Sequence, residues 1–116
     1  MEQSRNHLYR VDRFSVPPAS LAEFLSLVEG THEVLRAQAG FLRDMVLEQV
    51  AGPGRFNVTT LAEWRDQPSY DAAVEAVRRH HAAIGFDRTA VAERLGIEAD
   101  IAVYRRRGAT GDRMHP

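Results

Sequence analysis

Apolar and polar residues alternate along "HLYRVDRFSV" (7–16), which carries Tyr, Val and Phe and runs into Pro17 and Pro18. Alternation with β-formers predicts a strand, and the paired prolines stop it. The pattern then changes period. Leu21, Phe24, Leu25, Val28, His32 and Leu35 fall at helical spacing. Ser20 and Glu23 have the spacing of a capping box at the start of this helix, and Gly40 is placed to close it. "FLRDMVLEQV" (41–50) and "FNVTTLAEW" (56–64) read as strands joined by the turn residues "AGPGR", and so as a hairpin. After "DQPS", Tyr70, Ala73, Val74, Val77, His81 and Ile84 make the apolar stripe of a second helix, from about 69 to 83. A short helical segment (88–96) ends at Gly96, and "ADIAVYRR" (99–106) reads as a last strand.

The order β-α-β-β-α-β predicts an α+β, ferredoxin-like split βαβ arrangement with a four-stranded antiparallel sheet. Both helices cover one face. Successive strand residues point to opposite faces. Phe41, Met45 and Leu47 share one parity of the second strand, while Leu42, Val46 and Val50 share the other. Both faces are then apolar, although one lacks helices. An uncovered apolar patch of that kind predicts a homodimer in which two sheets pack face to face. One domain over residues 1–106 and a loose polar tail over 107–116 are expected.

Composition narrows the chemistry. The 116 residues are 44% hydrophobic and 27% charged, as in an ordinary soluble globule. The net charge of −1 offers no field for nucleic acid or an acidic membrane. All fifteen basic residues are arginine, which rules out a lysine Schiff base. Without cysteine there is no disulfide, thiolate nucleophile or iron–sulfur ligand. The polar start "MEQSRNHLYR" has no signal-peptide core, and no apolar run approaches the roughly 20 residues that span a bilayer. A cytoplasmic protein is the expectation. Adjacent His80 and His81 point about 100° apart on a helix and cannot grip one ion as an i, i+4 pair does, so no metal site is expected.

The segment "EWRDQPSYDAAVEAVRRHH", in this order of elements, resembles the antibiotic biosynthesis monooxygenase family of dimeric α/β barrels, over about residues 7–106. The resemblance implies a pocket between sheet and helices in each subunit. It also implies oxidation of a small aromatic or polyketide-like substrate by O2 with no cofactor. In such oxygenases the substrate loses a proton and its electron-rich anion reacts with O2. An isomerase or cyclase of the same fold, or a non-catalytic, small-molecule-binding dimeric stress-response module, are the alternatives. The oxygenases carry an Asn four residues before the strand-three Trp, where this chain has Thr60. The haem-degrading branch resembles an Asn, Trp and His set that this chain does not reproduce.

The candidate site residues follow. His81 lies at the centre of the second helical stripe and His32 occupies a similar place on the first. Either could take a phenolic proton as base, or be a satisfied core histidine. Trp64 and Tyr70 are candidates to hold the ring, or to pack the core. Thr60 and Asn57 are candidates to steady an oxygen. Because the two helices run antiparallel, His32 and His81 are expected towards opposite ends of the sheet. Trp64, Tyr70 and His32 are then expected at one end, and His81 joins them only if the cavity runs along the sheet.

Overall fold

The computed structural model describes residues 6–108; of the tail expected over 107–116, residues 109–116 lie outside the described residues. Strands β1 (Leu8–Ser15), β2 (Phe41–Glu48), β3 (Val58–Trp64) and β4 (Glu98–Arg105) form one sheet in the order β2-β3-β1-β4. Each neighbouring pair is antiparallel. Helices α1 (Leu21–Arg36) and α2 (Gln67–Ala83) connect β1 to β2 and β3 to β4, with the short α3 (Arg88–Leu95) before β4. This is the ferredoxin-like α+β fold.

The register sets what faces the helices, because directly paired residues share a face. One row across the sheet is Phe41, Trp64, Leu8 and Arg105; the next is Asp44, Ala62, Arg10 and Val103. A third is Val46, Thr60, Asp12 and Ile101, and a fourth is Glu48, Val58, Phe14 and Ala99. These four rows lie on the helix side, where Val58, Trp64 and Leu8 are buried. A bulge between Phe41 and Arg43 corrects the parity read from the sequence. The extra residue, Leu42, shifts Phe41 to the helix side, where its ring meets Trp64 edge-on at 5.6 Å. Met45 and Leu47 stay on the open face, 37% and 51% exposed, with Tyr104 at 50%.

The helix-side core divides in two. Leu8, Ala62, Trp64 and Ala73 cluster at one end, with Leu35, Phe41 and Tyr70 against them. Val16, Phe24 and Val58 cluster at the other, with Phe14, Leu25, Val28 and Ile97. Between the clusters, the two middle rows carry Arg10, Asp12 and Thr60 on the central strands. Apolar packing is interrupted there, and a cavity occupies the gap.

Local signals explain the helix ends, with two corrections. The Asp66 carboxylate accepts the Ser69 N–H and caps α2, so this helix starts two residues before the expected Ser69. Asp87 caps α3 in the same way through Ala90 N–H. Ser20 precedes α1 but does not cap it with its side chain: its hydroxyl donates to the Leu95 carbonyl, and Glu23 pairs with Arg94. These contacts tie α1 to α3 where a capping box was expected. Nor is Gly40 the cap of α1, which ends at Arg36 with Ala37 beyond it. Gly40 instead turns the chain into β2 at φ +85°. A Cβ there would lie 2.1 Å from the Ser69 hydroxyl oxygen. Gly40→Ala is therefore expected to destabilise the fold by about 2 kcal/mol or more, from left-handed strain plus the clash. Urea unfolding checks this, and the added change Ser69→Gly should recover part of the loss by removing the clash.

Candidate functional site

The gap between the two core clusters is a cavity of about 990 Å³, bounded by the sheet, α1, α2 and α3. Its walls are mainly apolar. Its polar groups come from the sheet, α1, α2 and α3, with Arg78, Asp87, Arg88 and Glu93 at the α2 and α3 side.

On the α1 side stands His32, 6% exposed. Its Nδ1 lies 2.9 Å from Asp44 Oδ2, and Arg36 Nε donates to the same oxygen at 3.0 Å. An ionised carboxylate only accepts, so Nδ1 carries a proton, and in the neutral imidazole Nε2 is the nitrogen left to accept one. A buried imidazole with its tautomer fixed by a carboxylate has the arrangement of a general base and its orienting group. The reason lies in the sequence. His32 sits on the inward stripe of α1, and Asp44 shares a parity with the apolar Val46 on β2.

Across the sheet from Asp44, beyond Ala62, stands Arg10. Its Nε donates to Asp12 Oδ1 at 2.5 Å and its Nη1 to the Tyr70 hydroxyl at 3.0 Å. All three residues line the cavity. Sequence reasoning missed Arg10 and Asp12, yet a signal existed: both hold the parity of Leu8 and Phe14, which point inward.

Trp64 is 1% exposed and both packs the core and lines the cavity. Thr60, also buried, lies on the floor between Asp12 and Val46. Asn57 lies apart from this wall. Its amide oxygen accepts the Val16 N–H at 2.8 Å and its nitrogen donates to the Val16 carbonyl at 2.9 Å. It clamps the end of β1 to the start of β3.

His81 corrects the expected geometry. Its Nε2 lies 3.4 Å from Thr31 Oγ1, so the late part of α2 meets α1 beside His32. The histidines are not at opposite ends. Thr31 faces α2 while its neighbour His32 faces β2, as a 100° step per residue allows. Both histidines line one cavity, which runs along the sheet. Ile84, expected on the same stripe, ends α2 and is exposed.

Burial pushes the His81 imidazole below the ordinary histidine value of 6.5, and the charges of His80 and Arg88 push the same way. The unfolded chain therefore takes up this proton first as pH falls. The stability from neutral His81 is present above the ordinary value and is lost as pH drops through it towards the lower folded value. His81→Gln should flatten this loss, read as a smaller drop in Tm between about pH 7.5 and about pH 5. An unchanged slope would mean that other groups carry the acid sensitivity.

Among the described residues, no group of three or more His, Asp or Glu side chains is placed to hold a metal ion, and no helix is long and apolar enough to cross a membrane.

The chain resembles the crystal structure of a conserved protein from Methanosarcina mazei at 23% identity and a TM-score of 0.68, over 91% of this chain and 98% of that one. It resembles SnoaB, a cofactor-independent oxygenase from Streptomyces nogalater, at 25% identity and a TM-score of 0.63, over 90% and 97%. MhuD, as an R26S variant with two manganese protoporphyrin IX molecules per active site, is similar at 14% identity and a TM-score of 0.67, over 90% and 98%. No curated protein matches the sequence. The family model for antibiotic biosynthesis monooxygenases matches residues 8–84. From the first strand to the end of the second helix, this is a member of the antibiotic biosynthesis monooxygenase family.

Proposed function

We propose that the protein oxidises a phenolic or anthrone-type aromatic molecule with O2, using the substrate itself as the reductant. The observation that carries this reading is the buried His32, paired with Asp44, in the wall of a mainly apolar cavity. His32 Nε2 removes a proton from the substrate, and the imidazolium formed is stabilised by Asp44. Trp64 and the apolar face of α2 hold the ring. The anion then reduces O2. For an anthrone-type carbon, one oxygen atom becomes the new carbonyl, and the other leaves as water with the two hydrogens of that carbon. Thr60 lines the same cavity, where its hydroxyl can meet a developing oxyanion. SnoaB, a cofactor-independent oxygenase of the same fold, supports the reading.

The test is O2 uptake by purified protein with chelator present, over a panel of anthrones and hydroquinones. Uptake matched to quinone formation is expected. Conversion of substrate without O2 would make the protein an isomerase or cyclase, which could use the same His32. No conversion of any ring compound would favour a non-catalytic binding module.

We further propose that the working form is a homodimer joined through the open sheet face. Met45, Leu47 and Tyr104 are exposed there together, which soluble monomers rarely leave uncovered. Sedimentation should give twice the chain mass, and Leu47→Asp should shift it to the monomer; a monomeric parent would contradict this.

A further inference from the structure

The cavity has a second polar pole, and it has the chemistry of a binding site. Arg10 and Asp12 lie on the inward face of a central strand, flanked there by Leu8 and Phe14. Their side chains are only 23% and 16% exposed. Removing two charges from water is costly, and one ion pair seldom recovers that cost in full. Packing alone would be served by apolar residues at these positions.

The guanidinium is held rather than satisfied. Nε is taken by Asp12 and Nη1 gives one hydrogen to Tyr70. Nη2 has no hydrogen-bond partner among the described residues, and Nη1 retains a second hydrogen. The edge left over is the two-nitrogen fork that matches a carboxylate. Tyr70 accepts from Arg10, so its own O–H remains to donate to the same ligand.

Position completes the argument. Arg10, Ala62 and Asp44 form one row across β1, β3 and β2. Neighbouring strands are about 4.8 Å apart, so Arg10 and the partner of His32 are separated by roughly 10 Å at the backbone. Ala62, with no side chain beyond Cβ, lies between them. A fused aromatic ring system spans that distance.

We propose that the substrate is an aromatic acid, with a carboxylate gripped by the Arg10 fork and the Tyr70 hydroxyl and its acidic phenol or ring carbon directed to His32. Asp12 fixes the plane of the guanidinium. This proposal rests on the reading of the cavity as an aromatic-substrate site, and it makes Arg10 a specificity residue rather than the base.

The test uses inert probes, so that binding is read without turnover. Affinity for anthraquinone-2-carboxylate and for its neutral carboxamide is measured by calorimetry on the parent, Arg10→Gln, Tyr70→Phe and His32→Asn. Arg10→Gln leaves Asp12 without its partner, so the double variant Arg10→Gln/Asp12→Asn is measured beside it. The parent should favour the carboxylate by roughly tenfold or more, an advantage that shrinks as salt is added. Both Arg10 variants should lose that preference while keeping the carboxamide affinity. Tyr70→Phe should lose part of it, and His32→Asn should keep it. Equal affinity of the parent for both probes would overturn the carboxylate subsite and leave aromatic binding standing. A preference that survives in the double variant would overturn the assignment to Arg10. Failure of both probes to bind would overturn this proposal together with the aromatic reading of the cavity.

Discussion

His32→Asn lowers turnover of a phenolic substrate by about a hundredfold or more, with little change in fold. General-base catalysis by a positioned side chain contributes about 10²–10⁴-fold, and this variant removes the base alone. An asparagine amide can reproduce the donor that Nδ1 offers to Asp44, but it has nothing in the place of Nε2. Arg36 still holds Asp44 from the other side, so the carboxylate keeps a partner. Asp44→Asn is the complementary change. It spares the imidazole but replaces the carboxylate with a neutral amide, which no longer stabilises the imidazolium and can donate to Nδ1 and favour the wrong tautomer, so its rate should fall towards that of His32→Asn. Activity and urea midpoint are measured together. Near-parental turnover in His32→Asn would move the base elsewhere, with His81 next in line, because it lines the same cavity and its lowered pKa keeps it neutral.

Trp64→Ala costs about 3–5 kcal/mol of stability, the range for removing a buried large aromatic. The indole is 1% exposed and joins Leu8, Ala62 and Ala73 in one cluster, with Phe41 edge-on. The hole left behind opens into the existing cavity, where water can enter, so the cost should fall near the lower end of that range. Trp64→Phe keeps part of the packing and should cost about 1–2 kcal/mol less than the alanine change. Urea unfolding with an unchanged slope gives the number. A loss under about 1 kcal/mol would mean that Trp64 is held by the ligand pocket and not by the core.

Element order and helical stripes were legible because period is a local property. The period-2 run of β1 and the stripe from Leu21 to Leu35 match the strand and helix found there. What failed was long-range or competitive. A single bulge at Leu42 moved Phe41 to the other face, and nothing in "FLRDMV" announces it. Ser20 had a cap's chemistry, but its hydroxyl accepts no helix N–H and donates to the Leu95 carbonyl, distant in sequence. Gly40 serves a close approach to Ser69 that is visible only once α2 is in place. In the candidate site, His32, His81, Trp64, Tyr70 and Thr60 all line one cavity, while Asn57 holds the Val16 backbone. Antiparallel helices lying side by side along their whole length would put His81 at the far end from His32. The contact of Thr31 with His81 brings the end of α2 over the middle of α1. Arg10 and Asp12 were overlooked because charges in "YRVDRF" look like a solvated strand face until the register turns them inward.

The most direct measurement concerns the proton. An oxidation-resistant hydroxyanthraquinone, whose neutral and ionised forms absorb at different wavelengths, is titrated into the protein without O2 at a pH below its solution pKa. The parent should bind it and turn the spectrum to that of the anion, while His32→Asn should bind it with the spectrum of the neutral phenol. Equal ionisation in both proteins would contradict the account, because the cavity would then be taking the proton without His32.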